Sequence, residues 1–254
     1  MITIKNKEEI AKMRQGGKIL HHIVKQLETI VQAGMSTERV DQLAERLIRA
    51  KNTLPAFKGY KGFPSTICAS INEEAVHGVP SSQIILRKGD LFSIDIGLIY
   101  QNLYLDTATT FSIGHKPDKL ARRLMKVTRQ ALYKGIGQAK SGNKVSDIAR
   151  AIQQETEKNG FSIIHCLTGH GVGYQLHESP TIPNFVAEDK HNWPDLDVVL
   201  KSGMTIAIEP IVSAGKNKVK TSKNGWTVMT TDDSLTAHFE HSLVITETGN
   251  QILT

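Results

Sequence analysis

Twice along this sequence a His-x-x-Pro element is followed by a glycine, alternating apolar residues and a carboxylate six positions beyond that glycine. The first copy runs Val76-His77-Gly78-Val79-Pro80, then Gly89-Asp90-Leu91-Phe92-Ser93-Ile94-Asp95. The second runs Leu176-His177-Glu178-Ser179-Pro180, then Gly203-Met204-Thr205-Ile206-Ala207-Ile208-Glu209. Upstream of each copy, Val40-Asp41-x-Leu-Ala and Val145-Ser-Asp147-Ile-Ala recur in the same order. Each match is short, but the shared order is the mark of an internal duplication. It predicts an α+β chain of two similar halves, roughly 1–118 and 119–254, related by a pseudo-two-fold within one domain spanning 1–254. Acidic strand ends from both halves then converge on one site.

Periodicity fills in the halves. Lys7 to Ala33 and Thr37 to Asn52 read as amphipathic helices, with Ser36-Thr37 as the cap signal of the second. Leu120 to Ala139 and Val145 to Lys158 repeat the pair. Strand-like runs follow: Thr66 to Ile71, Ile84 to Leu86 and a hairpin over Ser93 to Phe111 in the first half. In the second they are Ile163 to Leu167, Met204 to Val212, Trp226 to Met229 and Ala237 to Thr246. The stretch from Glu178 to Asp197, with Pro180, Pro183 and Pro194, reads as an ordered surface loop.

The bulk numbers narrow the class. The chain has 254 residues of ordinary globular composition, and no run approaches the roughly 18 apolar residues of a membrane span. The start, MITIKNKEEIAKMRQGGKIL, lacks the apolar core of a secretory signal, so a cytoplasmic protein is expected, with no membrane partner. Cys68 and Cys166 are the two cysteines and show no Cys-x-x-Cys spacing, which excludes a disulfide framework or a thiolate zinc knuckle. A formal charge of +6 suits work near nucleic acid, such as the ribosome surface, without identifying it.

The chemistry lies in the carboxylates. If the hairpin reverses about Tyr100 and Gln101, cross-strand residue numbers sum to 201 and Asp95 faces Asp106 directly. Like charges so placed, with Cβ atoms roughly 4.5 to 5.5 Å apart, are destabilising, so something positive should sit between them. A register one residue different would instead send Asp106 to the opposite face. Glu209 in MTIAIEP and Glu240 in LTAHFEHSLVIT interrupt similar apolar alternation. Singly each fits a solvated strand edge. Four carboxylates in half-buried strands whose interiors hold no Lys or Arg call for a cation cluster.

Thr168-Gly-His170-Gly-Val-Gly supplies nitrogen, since flanking glycines let the backbone of His170 approach closely. The same segment hints at a phosphate loop but lacks the Lys-Ser/Thr that such a loop needs. Asp95, Asp106, His170, Glu209 and Glu240 make an oxygen-rich set with one histidine, suited to Mn, Fe or Co, and also to Zn. Five such donors can hold two divalent cations, the arrangement that lowers the pKa of a shared water for hydrolysis.

With these residues in hand, the sequence resembles the type I methionine aminopeptidases, which share the pita-bread fold with aminopeptidase P and creatinase. The resemblance rests on SINEEAVHGVP, the Asp-x10-Asp hairpin, TGHGVG with HESP, IEPIVSAG, GWTV and FEHSLVIT, in family order along essentially the whole chain. It implies an antiparallel sheet flanked by helices and a dinuclear site in which Asp95 holds one metal, His170 and Glu209 the other, and Asp106 and Glu240 bridge. It implies Glu209 as general base, His177 at the scissile amide and His77 orienting the substrate and assisting the leaving amine. Tyr60, Phe63, Cys68, Leu176 and Trp226 would wall a methionine pocket, with His77 at its rim. Substrates would be nascent polypeptide N-termini with a small second residue, met by a monomer that docks transiently at the ribosome. Phe63, Leu176, Phe57 and Leu105 depart from the usual tyrosine, phenylalanine, cysteine and glycine, and bear on the pocket's shape without removing a ligand.

Of the other histidines, His241 should point away from Glu240 as a structural residue, and His21, His22, His115 and His191 should be exposed. Two rival readings keep the same fold. An Xaa-Pro aminopeptidase would use the same five ligands but normally carries a separate N-terminal domain, and Trp226 in GWTV favours the methionine enzyme. A non-catalytic pita-bread protein binding RNA, ribosomes or peptides would rest on the basic charge, although such relatives typically lose ligands.

Overall fold

The computed structural model describes residues 2–114, 116–187 and 192–254. Helices α1 (Lys7–Ile30) and α2 (Thr37–Arg49) come first, then strands β1 (Leu54–Pro55), β2 (Ile67–Ile71) and β3 (Glu74–Val76) and the long hairpin β4 (Leu91–Tyr100) and β5 (Leu103–Ser112). Helices α3 (Lys119–Gln138) and α4 (Val145–Glu157) open the second half, followed by β6 (Ser162–Ile163), β7 (Thr168–Gly171), β8 (Glu178–Pro183) and β9 (Thr205–Ile208). The chain closes with β10 (Ile211–Ser213), β11 (Val219–Thr221), β12 (Val228–Thr230), β13 (Thr236–His238), β14 (Glu240–Ile245) and β15 (Asn250–Ile252).

Local chemistry accounts for the helix starts. Asn6 Oδ1 accepts from the Glu9 N–H at 2.9 Å while Glu9 accepts from the Asn6 N–H at 2.8 Å, closing a capping box at α1. Ser36 Oγ accepts from the Arg39 N–H at 3.2 Å to cap α2, at the site read from sequence. The apolar faces of α1 and α2, with Leu20, Ile23, Leu27, Val40 and Ile48, pack on Phe92, Ile94, Ile96 and Leu98 of β4. Those of α3 and α4, with Leu124, Ala131, Ile148 and Ile152, pack on Ile206, Ile208 and Leu243. Among the described residues no helix is long and apolar enough to cross a membrane.

The main sheet is antiparallel, in the order β1-β4-β5-β14-β9-β7-β8, with β2 also on β4 and β15 on β14. Its seam is the pair β5 and β14, and matching bonds show the pseudo-two-fold across it. Gly89 N–H donates to Ile113 O and Ile113 N–H to Asp90 O, both at 2.9 Å. Gly203 N–H donates to Ile245 O at 2.9 Å and Ile245 N–H to Met204 O at 2.8 Å. Both glycines are left-handed, at φ +96° and +88°, a conformation that favours residues without a Cβ. The helix pairs and the antiparallel sheet are those expected.

Several boundaries differ. The hairpin turns at Gln101-Asn102, both with positive φ, so Asp95 pairs with Ala108 and Asp106 with Gly97. Asp95 and Asp106 therefore stand diagonally rather than face to face, still on one face because the register moves by two residues. Ile84 to Leu86 is no sheet strand. It runs beside the α1–α2 connection, where Leu86 N–H donates to Met35 O and Gly34 N–H to Leu86 O. Ile163 to Leu167 is a strand only at its start, and Glu178 to Pro183 is a strand on β7 rather than loop. Met204 to Val212 splits at Glu209-Pro210, because proline lacks the N–H that would continue the ladder. Ala237 to Thr246 splits at Phe239: His238 N–H donates to Thr110 Oγ1 and Thr110 O–H to His238 O, so a side chain replaces a neighbouring strand there.

Candidate metal centre and substrate cavity

The five expected donors fall on five consecutive strands of the sheet. Asp95 lies on β4, Asp106 on β5, Glu240 at the start of β14, Glu209 just past the end of β9 and His170 on β7. Both strand breaks occur at the site, which frees Glu209 and Glu240 from strict pleating where they meet. Ligand atoms of Asp95, Asp106 and Glu240 lie within 4.8 Å of one another, and so do those of His170, Glu209 and Glu240. Asp106, His170 and His177 form a third such group, so Asp106, His170 and Glu240 each belong to two of the three.

His170 is oriented as a donor. Its Nδ1 lies 2.9 Å from Gly171 O, and a carbonyl only accepts, so Nδ1 carries the proton and Nε2 offers its lone pair. That Nε2 is 3.4 Å from Glu209 Oε1 and 3.8 Å from Asp106 Oδ2. Burial holds the imidazole down at about 4, which keeps it neutral.

The carboxylates show the strain of sharing one buried place. Burial raises Asp95 to about 6 and Glu209 to about 8. Burial together with the neighbouring acids pushes Asp106 and Glu240 well above the ordinary range. Asp95 Oδ1, Asp106 Oδ1 and Glu240 Oε1 are buried without a hydrogen-bond partner. Orphaned carboxylate oxygens around one imidazole lone pair, with no Lys or Arg paired to them among the described residues, fit divalent cations of the harder and borderline kinds.

A cavity of about 570 Å³ opens on this cluster and is lined by Tyr60, Phe63, Cys68, His77, Leu176, His177 and Trp226, with Phe57, whereas Leu105 lies outside its lining, packed in the core beside Gly16 of α1. Phe57, Phe63, Cys68 and Leu176 are buried together as an apolar wall, with Tyr60 and Trp226 against it. The Phe63 and Trp226 rings meet edge to face at 5.2 Å. Burial and the charge of Asp95 push the Cys68 thiol well up, so it is an inert wall. His177 lies at the rim with part of its surface open to solvent, but its ring packs edge to face on His170 at 4.2 Å and its Nδ1 lies 3.1 Å from the Tyr60 hydroxyl; desolvation of the ring, with nearby His170, lowers its pKa to about 3. His77 is exposed in a left-handed conformation at φ +57°.

One buried residue was missed. His238 Nε2 has no hydrogen-bond partner and lies 3.5 Å from Glu209 Oε2. The signal was available: His238 is two residues before Glu240, hence on the same strand face. It is also the pseudo-symmetric counterpart of Asp106, each lying seven residues before the paired Ile113 or Ile245. His241 points away, to Thr254 and Tyr133, as expected. His21 and His22 are exposed, whereas His115 and His191 lie outside the described residues.

Comparison with known proteins adds ancestry to this geometry. The profile of metallopeptidase family M24 matches residues 11–247. Methionine aminopeptidase of Clostridium acetobutylicum is 43% identical and methionine aminopeptidase 1 of Bacillus subtilis 44% identical, each over all of this chain and 99% of its own length. The crystal structure of methionine aminopeptidase from Thermotoga maritima superposes with a TM-score of 0.94 at 40% identity, covering 100% of this chain and 99% of that one. The prolidase of Pyrococcus furiosus shares the fold, with a TM-score of 0.79 at 24% identity, but 99% of this chain covers only 65% of that protein.

Proposed function

This chain belongs to metallopeptidase family M24 and, within it, to the methionine aminopeptidases, and we propose that it removes the N-terminal methionine of newly made chains whose second residue is small. The observation that carries the reading is the continuity of one cavity from the five-donor cluster to an apolar wall. Phe57, Phe63, Cys68, Leu176 and Trp226 form a bounded apolar recess of the kind that takes one flexible thioether side chain. Coverage of the methionine enzymes end to end, against about two thirds of the prolidase, weighs against the Xaa-Pro alternative.

Asp95 would hold one cation and His170 and Glu209 a second, with Asp106 and Glu240 contributing to both. Two divalent cations so held would supply Lewis acidity toward the scissile carbonyl and bring a water's pKa down toward 7. The protein's own groups do the rest. Glu209 accepts the proton of the attacking water, its carboxylate standing beside the cluster between His170 and His238. His177 is neutral, with Nδ1 3.1 Å from the Tyr60 hydroxyl, and the tautomer in which Tyr60 O–H donates to Nδ1 leaves Nε2–H as a donor toward the scissile group. His77, on the same cavity, orients the substrate and assists the departing amine.

Mn, Fe, Co and Zn all match the donor chemistry. The deciding test uses metal-stripped protein titrated anaerobically with each metal on Met-Ala-Ser, beside Leu-Ala-Ser and Ala-Pro-Ser. Metal-restored release of methionine alone is expected; release only from Ala-Pro-Ser, or none, overturns the reading. We infer further that the protein works in the cytoplasm as a monomer that visits the ribosome through exposed lysines, a reading supported by its formal charge of +6. Ribosome cosedimentation unchanged after neutralising those lysines would remove that last point.

A further inference from the structure

The segment ahead of α1 reaches into the loop that carries Leu176 and His177. Lys5 is buried there, its ammonium 2.7 Å from Glu178 Oε2, also donating to Thr3 Oγ1 and lying 4.5 Å over the Tyr174 ring. Thr3 O–H donates to the same Glu178 oxygen at 2.5 Å, and Glu178 Oε1 accepts from the Gln175 N–H at 2.8 Å. The Lys5 backbone N–H donates to Gly203 O at 2.8 Å, the glycine from which the chain runs to Glu209. Gly173 leaves the lysine its room, since a Cβ there would overlap Lys5 Cε.

The His177 ring packs edge to face on His170 at 4.2 Å and on Tyr60 at 5.2 Å, and its Nδ1 lies 3.1 Å from the Tyr60 hydroxyl. Where the ring meets those two neighbours is set by the backbone that carries it. Glu178, the next residue, is the anchored point, with one carboxylate oxygen committed to the N-terminal segment and the other to an amide of the loop. Burying an ammonium is expensive, and an apolar residue of similar volume would hold a loop at less cost. What the ion pair adds is direction. We propose that Lys5 is a positioning residue that, through Glu178, fixes His177 and the Leu176 wall relative to the metal cluster. The proposal deepens the aminopeptidase reading and rests on it for the role of His177.

The test compares the wild type, Lys5→Met and the neutral pair Lys5→Met/Glu178→Gln, which keeps volume and the acceptor for Gln175 while leaving no buried charge unpaired. Thermal stability, Mn affinity by calorimetry, kcat and KM on Met-Ala-Ser, and the imidazole 15N signals of His177 are read for each. The neutral pair should keep wild-type stability and Mn affinity, with kcat lowered on the order of tenfold to a hundredfold and the His177 signal shifted or broadened. Wild-type kcat and an unchanged His177 signal in the neutral pair overturn the proposal, as does loss of activity only in step with stability or metal affinity. If the wild type releases no methionine, the aminopeptidase reading fails by itself, and the His177 signal still decides whether Lys5 places that ring.

Discussion

Glu209 lies between two imidazoles: His238 Nε2 is 3.5 Å from its Oε2 while His170 Nε2 is 3.4 Å from its Oε1. A carboxylate flanked on both sides has little freedom to swing. Replacing His238 by alanine removes one flank, and kcat on Met-Ala-Ser should fall about tenfold with KM within twofold. His238→Gln, which keeps an N–H donor, should retain most of the activity. Equal losses in both variants would show that donation to Glu209 is not what matters.

Glu240 is common to the cluster that holds Asp95 and the cluster that holds Glu209, whereas His170 is absent from that of Asp95, Asp106 and Glu240. Glu240→Ala should therefore weaken binding of both cations, and His170→Ala chiefly one. Calorimetric titration with Mn should show two sites in the wild type, one retained tight site in His170→Ala, and none in Glu240→Ala.

Metal-free protein should lose stability as pH rises above about 7. Asp95 at about 6 and Glu209 at about 8 are raised above the roughly 4 of an unfolded chain, so the folded state binds more protons between those limits. The contribution of these two groups is full below pH about 4 and declines as pH climbs through 6 and 8, by up to about 1.4 kcal/mol per pH unit for each, whereas His170 at about 4 and His177 at about 3 act in the opposite sense below the roughly 6.5 of an unfolded histidine. Thermal melts should therefore show Tm falling from about pH 7 to about pH 9 in chelator, with the slope much reduced by Mn. A flat apo profile would contradict the crowded, protonated carboxylates.

Phe57 closes the pocket beside Gly97, whose missing Cβ would lie 2.7 Å from Phe57 Cε1. Phe57→Ala should cost about 3 kcal/mol of stability and widen the recess. The ratio of Leu-Ala-Ser to Met-Ala-Ser turnover should rise. An unchanged ratio would place the methionine side chain elsewhere in the cavity.

Two neighbouring glycines of α1 should answer differently to alanine. At Gly16 the new methyl would meet Leu105 Cδ1 at 2.5 Å, the end of a side chain that can move, and Tyr100 Cβ at 2.8 Å, but at Gly17 it would collide with the Leu253 carbonyl, which is backbone. The gain in helix propensity, about 1 kcal/mol, offsets much of the first clash and little of the second. Urea denaturation should rank Gly17→Ala below Gly16→Ala.

Sequence determined the elements whose signals are local or duplicated. Helix faces, caps and the paired Gly-to-carboxylate runs depend on spacing within a few residues, so Asp95 and Glu209 could be paired across the halves before any contact was known. The face shared by Asp95 and Asp106 was also legible, because strand side chains alternate with period two. Tertiary structure alone decided the rest. The hairpin register was set by left-handed Gln101 and Asn102, which a residue count cannot locate. The strand breaks at Pro210 and Phe239 depend on which neighbour each backbone finds, and Thr110 is far from His238 in the chain. The Lys5–Glu178 contact spans 173 residues and joins the two halves, and His238 meets Glu209 because β10 and β13 of the second half pair Ile211 with His238. Chain position fixes what a residue can do chemically, whereas the partner that makes the chemistry matter is chosen by packing across the pseudo-two-fold.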